Sequence, residues 1–199
     1  MPYITTIIPG VSAADKDAFL AAWPTVASTL KAQPTVLGVS GGPIVAEDGA
    51  AVTDFKFLQT IGTFATLEDQ KAFEESDVAK EGAKKYAEKA TGPPLHATFE
   101  VPEFPKDHKP AAYTQISRMT ITDESKGPEI KKAWEALVAA LGKQTFGGKA
   151  INAPVGIALI GWDSLEEAGA AYKGPAKAAW DHYHSFGETK DLMVKLEVA

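Results

Sequence analysis

The chain repeats itself, and no other feature constrains its fold as tightly. The helical pattern Phe19, Trp23, Val26, Ala27, Leu30 returns as Ile130, Trp134, Leu137, Val138, Leu141, with Trp on Trp at a shift of 111 residues. Further on, Phe64-Ala65-Thr66-Leu67-Glu68-Asp69 returns as Trp162-Asp163-Ser164-Leu165-Glu166-Glu167 at a shift of 98. The ending Phe99-Glu100-Val101 returns as Leu196-Glu197-Val198 at a shift of 97. A shift that shrinks along the chain is what shortened loops leave behind when cores are kept. Two units of about 100 residues follow, each within the usual size of a domain.

Both units read as β-α-β-β-α-β. In the first, strands are expected at 3–8, 35–39, 53–62 and 95–101, bounded by Gly, Pro and Asp turns such as Glu47-Asp48-Gly49. One helix starts after Ser12 and runs to about Lys31, with Pro24 expected to kink it or end its first segment. Thr66 caps a second, expected to run to about Ala90 with a break near Ser76-Asp77. In the second unit, strands are expected at 113–121, 145–151, 155–161 and 192–198. Its helices start near Pro128 and at the Ser164 capping box, the last reaching Phe186-Gly187. Gly41-Gly42 and Gly147-Gly148 are read as turns or bulges at strand ends. The proline-rich stretch at 103–112 is expected to link a unit at 1–102 to one at 113–199.

Such a unit makes a four-stranded antiparallel sheet with both helices on one face. The bare face has to be covered. Two sheets in one chain can cover each other, which gives an α+β fold of two ferredoxin-like units closed into a single barrel. The chain is then expected as a monomer with an internal pseudo-dimer, a homodimer through other surfaces remaining open.

Composition removes several function classes. With no cysteine there are no disulfides, thiolate metal sites or Cys nucleophiles. The net charge of −6 falls wholly before Pro105, where 14 acidic residues face 8 basic ones. That balance argues against a nucleic-acid partner. No apolar stretch approaches the roughly 20 residues that span a bilayer, and no signal peptide is read at Met1-Pro2-Tyr3-Ile4, so no membrane partner and a cytoplasmic location are expected. A phosphate-cradling loop, a dinucleotide fingerprint and a nucleophile elbow are all missing from the sequence.

Four side chains stand out as chemical candidates. His182 and His184 lie two apart, so on a helix they point in different directions and do not form a metal pair. Either can act as a general acid or base, or serve only as a cation at a helix C-terminus. Arg118 is the one arginine and falls mid-strand, where it can hold a carboxylate or phenolate or an internal ion pair. His96 opens the first unit's last strand, sharing a face with Thr98 and Glu100. No metal site is expected.

The aromatic-led helix entries Phe64-Ala65-Thr66-Leu67-Glu68-Asp69 and Trp162-Asp163-Ser164-Leu165-Glu166-Glu167, with Phe73, Glu75-Ser76-Asp77-Val78-Ala79-Lys80 and Tyr172, resemble the dimeric α/β-barrel superfamily in a fused form. The similarity is to its antibiotic-biosynthesis-monooxygenase and stress-responsive barrel types. These motifs specify helix entry and packing rather than chemistry. The resemblance implies a pocket between the helices and the sheet of a unit. It also implies a range of activities: cofactor-free oxygenases of polyphenolic polyketides, isomerases, lyases and cyclases, haem enzymes, and proteins without known activity. Fold alone does not choose among them. The reading that follows is a cofactor-independent enzyme on a small aromatic, polyketide- or terpenoid-like molecule, performing oxygenation or proton-transfer chemistry. His182, His184, Arg118 and His96 are its expected catalytic groups, and Trp162, Tyr183, Tyr86 and Phe64 its expected substrate wall. The alternatives are a non-catalytic binding or stress-responsive barrel and a haem protein. Haem relatives carry a ligand His late in a unit's second helix. Here Ala83 and Asp181 stand at those places, with His182 one residue off, so the second unit is the expected host if haem binds.

Overall fold

The computed structural model describes residues 1–103 and 111–198. Most of the expected linker, His108 included, lies outside them. The first unit holds β1 (Tyr3–Ile8), α1 (Lys16–Lys31), β2 (Val39–Glu47), the short β3 (Ala50–Ala51), β4 (Phe57–Phe64), α2 (Leu67–Glu74), α3 (Asp77–Ala87) and β5 (Leu95–Glu100). The second holds β6 (Tyr113–Ile121), α4 (Gly127–Leu141), β7 (Thr145–Ala150), β8 (Val155–Trp162), α5 (Leu165–Ala171), α6 (Lys177–His184), β9 (Gly187–Val194) and β10 (Glu197–Val198).

Each unit is an antiparallel sheet, ordered β5-β1-β4-β2 and β9-β6-β8-β7. The sheets join at both edges, β5 to β7 and β2 to β9, and so close an eight-stranded barrel within one chain. This is the α+β barrel of two ferredoxin-like units expected from the repeat. Strand alternation sorts the side chains. Ile4, Phe99, Ile116, Ile157 and Val194 fill the barrel interior, while helix-facing residues build a separate core in each unit around Trp23 and Phe64, or Leu137 and Trp162.

The two Gly-Gly pairs do not end strands. Gly41-Gly42 lies inside β2 and Gly147-Gly148 inside β7. In each pair the first glycine makes room for a helix tryptophan: a Cβ on Gly41 would lie 2.3 Å from the Trp23 ring, and one on Gly147 would lie 3.1 Å from Trp134. The second glycine lets the other unit's backbone close in. A Cβ on Gly42 would lie 1.9 Å from the Lys195 carbonyl oxygen, and one on Gly148 would lie 2.6 Å from that of Glu100. These pairs set the barrel's two seams. The β2–β9 seam is also latched by a hairpin tip. Asp48 (φ 48°) and Gly49 (φ 80°) form the turn between β2 and β3. The Asp48 carboxylate accepts from the backbone N–H of Asp191 at 2.8 Å and from Lys190 Nζ at 2.7 Å. Burial raises its pKa, but these bonds outweigh that and hold the carboxyl below its usual value.

Other boundaries shift for local reasons. β2 begins where the expected strand ended, because Pro34 and Thr35 form a turn and the chain enters the sheet only after Gly38. Pro24 sits on the exposed face of α1, and the helix runs through it unbroken. The expected last helix is divided at Gly174-Pro175, where proline removes a helix donor and crowds the preceding turn. The break near Ser76 is present, with Ser76 capping α3 through the N–H of Ala79.

Candidate functional site

Sequence places the same parts on the helix side of both sheets, yet the two units use them differently. Tyr3 pairs with Phe64 across β1–β4, and Tyr113 pairs with Trp162 across β6–β8. Phe64 and Trp162 each stand two residues before an N-cap, Thr66 or Ser164. Two positions along from each tyrosine come Thr5 and Gln115. Four positions after each cap come Gln70 and Ala168.

In the second unit these positions are filled in. The Gln115 carboxamide oxygen accepts from Trp162 Nε1 at 3.0 Å and from the Tyr172 hydroxyl. Tyr172 stacks on Trp180 at 4.6 Å, Trp180 on His184 at 4.1 Å, and Trp134 on Tyr183 at 5.6 Å. The last contact draws α4 directly against α6. Beneath the aromatics lies a polar cluster. Asp191 and Ser117 are register partners across β9–β6, and His184 Nδ1 is 3.3 Å from Thr189 Oγ1. Ser117 Oγ, Asp191 Oδ1 and His184 Nε2 are buried without hydrogen-bond partners. Burial raises the Asp191 carboxyl above its usual range against the attraction of His184, and burial lowers the His184 imidazole against the attraction of Asp191. Burial, with the charge of Asp191, pushes the Tyr183 hydroxyl up to about 12 and holds that of Tyr172 above its usual value.

In the first unit the corresponding space is open. α1 and α3 flank an apolar cavity of about 750 Å³ above β1. Phe64, Phe73 and Leu30 form its deep wall, and the exposed Val26 and Ala83 mark its mouth. Its volume falls within the range of small-molecule sites. Gln59, Ile7 and His96 stand side by side on the sheet floor, on β4, β1 and β5. His96 Nε2 lies 3.6 Å from Glu74 Oε1, and both side chains are about half exposed. Thr5 is buried but satisfied, its hydroxyl 2.9 Å from that of Thr98. Tyr86 ties α3 down: its hydroxyl accepts from the Gly10 N–H at 2.5 Å and donates to the Gly92 carbonyl at 3.1 Å.

The eight expected site residues therefore separate. His96, Tyr86 and Phe64 line the first-unit cavity. Trp162, Tyr183 and His184 belong to the second unit's packed interior, and His182 is exposed on α6 with its ring 5.2 Å from that of Phe186. Arg118 points to the barrel side of β6, its guanidinium 6.0 Å from the Phe99 ring and its Nε buried without a partner. Gln70 was not singled out from the sequence. It is 3% exposed and lines the cavity. Its signal was a carboxamide three residues before Phe73, on the apolar face of α2.

Among the described residues, a haem site fits neither unit. The cavity's imidazole is on a strand at its floor, beside Glu74, and α3 offers Ala83. The second unit's buried imidazole is covered by Trp180, and the rings of Trp162, Tyr172 and Tyr183 occupy the surrounding space. Among the described residues no helix is long and apolar enough to cross a membrane.

The architecture is that of the dimeric α/β barrels, with one chain supplying both halves. Solved structures share it across the whole chain. A candidate monooxygenase from Fusobacterium nucleatum superposes with a TM-score of 0.74 at 8% identity, covering 99% of this chain and 93% of its own. A candidate monooxygenase from Lactobacillus acidophilus gives 0.66 at 11% identity, covering 100% and 95%. An anthrone oxidase-like protein gives 0.62 at 15% identity, covering 100% and 93%. No family model matches the chain, and no curated protein matches it.

Proposed function

We propose that the protein is an oxygenase-like enzyme that takes a small, largely apolar aromatic molecule into the first-unit cavity and uses no organic cofactor. The observation that carries this reading is the open 750 Å³ apolar cavity with a His–carboxylate pair on its floor. The names of the structural neighbours, two candidate monooxygenases and an anthrone oxidase-like protein, support it. A polycyclic phenol of the anthrone class carries an acidic ring CH2. His96 takes that proton, and Glu74 stabilises the imidazolium that results. The electron-rich ring then reduces dioxygen. Overall the CH2 and O2 become a ring carbonyl and water, which balances without another reductant.

The test is oxygen uptake with a panel of anthrones and polycyclic phenols. Turnover is expected, and His96→Ala is expected to lower kcat about 100-fold, the lower end for general acid–base catalysis because the imidazole is half exposed. No uptake with any member, or an unchanged rate in His96→Ala, overturns the assignment. That same half exposure favours one second reading, a carrier that binds the aromatic molecule without transforming it. It predicts binding with no oxygen consumption.

A further inference from the structure

The buried polar groups of the cavity specify what its ligand must carry. Thr5 is satisfied by Thr98, and the Tyr86 hydroxyl is occupied at Gly10 and Gly92. Gln70 differs. Its side chain lines the cavity and the residue is 3% exposed; among the described residues its carboxamide makes no hydrogen bond, and it is not among the unpaired atoms sealed from solvent, so it opens onto the cavity space. A carboxamide that opens onto an apolar cavity is satisfied by whatever enters the cavity, water or the polar group of a ligand. The other unit supplies an internal control. There the carboxamide comes from the sheet, at Gln115, and is satisfied by Trp162 and Tyr172, while Ala168 takes the helix position. In the first unit the carboxamide sits on the helix instead, and Phe64, in the place of Trp162, has no ring N–H to offer it.

We infer that Gln70 anchors the ligand by hydrogen-bonding an uncharged oxygen, a phenolic hydroxyl or ring carbonyl, on an otherwise apolar aromatic body. This rests on the cavity being the ligand site, as proposed above. A carboxamide both donates and accepts, so it matches a hydroxyl in either sense and a carbonyl in one. An anionic group is disfavoured. The cations lining the cavity, Lys85 on α3 and Lys89 just past its end, are exposed, and His96 is matched with Glu74. Nothing cationic accompanies Gln70 at the deep wall to offset the burial of a carboxylate. Gln70 and Glu74 lie one helical turn apart on the same face of α2. A ligand oxygen held at Gln70 therefore sets the ring's register relative to His96.

The experiment is equilibrium dialysis of the full chain with 2-naphthol, naphthalene and 2-naphthoate. The intact protein is expected to bind 2-naphthol about tenfold more tightly than naphthalene, the worth of one well-made neutral hydrogen bond, and to bind 2-naphthoate most weakly. Gln70→Met and Gln70→Leu, whose thermal melts report folding, are expected to bind 2-naphthol no more tightly than naphthalene while keeping naphthalene affinity. Equal binding of 2-naphthol and naphthalene by the intact protein, or tenfold discrimination surviving in both variants, overturns the role of Gln70 and leaves the cavity reading standing. Val26→Trp fills the mouth from an exposed position. If none of the three probes binds, or if Val26→Trp changes none of their affinities, the ligand site is elsewhere and both readings fall.

Discussion

Replacing Gly42 by alanine should loosen the barrel at one seam and leave each unit's own core intact. The new Cβ would lie 1.9 Å from the Lys195 carbonyl oxygen and 2.7 Å from its carbon. Both are backbone atoms, so no side-chain rotation relieves the clash. Ordinary contact begins near 3.4 Å, so the 195–198 segment must retreat about 1.5 Å from β2. That movement breaks the Lys195 N–H bond to the Pro43 carbonyl, now 3.1 Å, and the pairing of Glu197 with Gly41 and Val198 with Ser40. Two or three such bonds at about 1 kcal/mol each give a loss of about 2–3 kcal/mol. The entropic gain from removing a strand glycine, about 0.5–1 kcal/mol, offsets part of it. For a chain of this size the net loss, about 1.75 kcal/mol at its centre, corresponds to a fall in Tm of about 3–7 °C by circular dichroism or calorimetry. Gly148→Ala, 2.6 Å from the Glu100 carbonyl at the other seam, should cost less. Gly169→Ala, inside α5 with nothing within 4 Å of the new Cβ, should raise Tm by a few degrees. A Gly42→Ala melt within about 2 °C of the parent would refute the view that close backbone approach fixes this seam.

Three further outcomes are expected. Asp191→Asn should raise Tm at pH 7–8: burial lifts the folded-state pKa above the unfolded value, so the ionised carboxylate costs stability above that raised value. The advantage should shrink as pH falls through it, and a variant less stable than the parent at pH 8 counts against the argument. Tyr86→Phe removes both bonds that tie α3 to Gly10 and Gly92, so hydrogen exchange should quicken over 77–90 with little change in β6 or β8. A barrel closed within one chain predicts a 21.1 kDa species in sedimentation at micromolar concentration; a stable dimer would show a further interface.

The repeat made the fold legible because cores resist change more than loops do. Tryptophan on tryptophan and cap on cap were enough to read two β-α-β-β-α-β units and their closure. What stayed hidden depends on contacts between units. Gly41-Gly42 looks like a strand end because glycine weakens a strand by itself. The reason for Gly42 lies 153 and 154 residues further on, in the approach of Lys195 and Leu196. The Gly174-Pro175 break is a local signal, but the helical period resumes beyond it and masks the division. Of the site, His96, Tyr86 and Phe64 lay in view, but the sequence did not say that they share one cavity.

The aromatic richness of the second unit drew attention to the wrong kind of signal. Trp162, Tyr172, Trp180 and Tyr183 look like a substrate wall in sequence, yet in space they pack on one another and close the helices onto the sheet. Large aromatics bury much area wherever they sit, and a set that satisfies itself leaves little for a ligand to do. The first unit's face carries smaller side chains at Ala18, Ala22, Ala79 and Ala83, which leave unfilled the space that rings occupy in the second unit. An apolar face that does not close, above a carboxamide that opens onto it and makes no hydrogen bond among the described residues, is the better indicator of a binding site. The barrel interior and its two seams draw on both units, so the helix side of one unit can be packed solid while that of the other stays open.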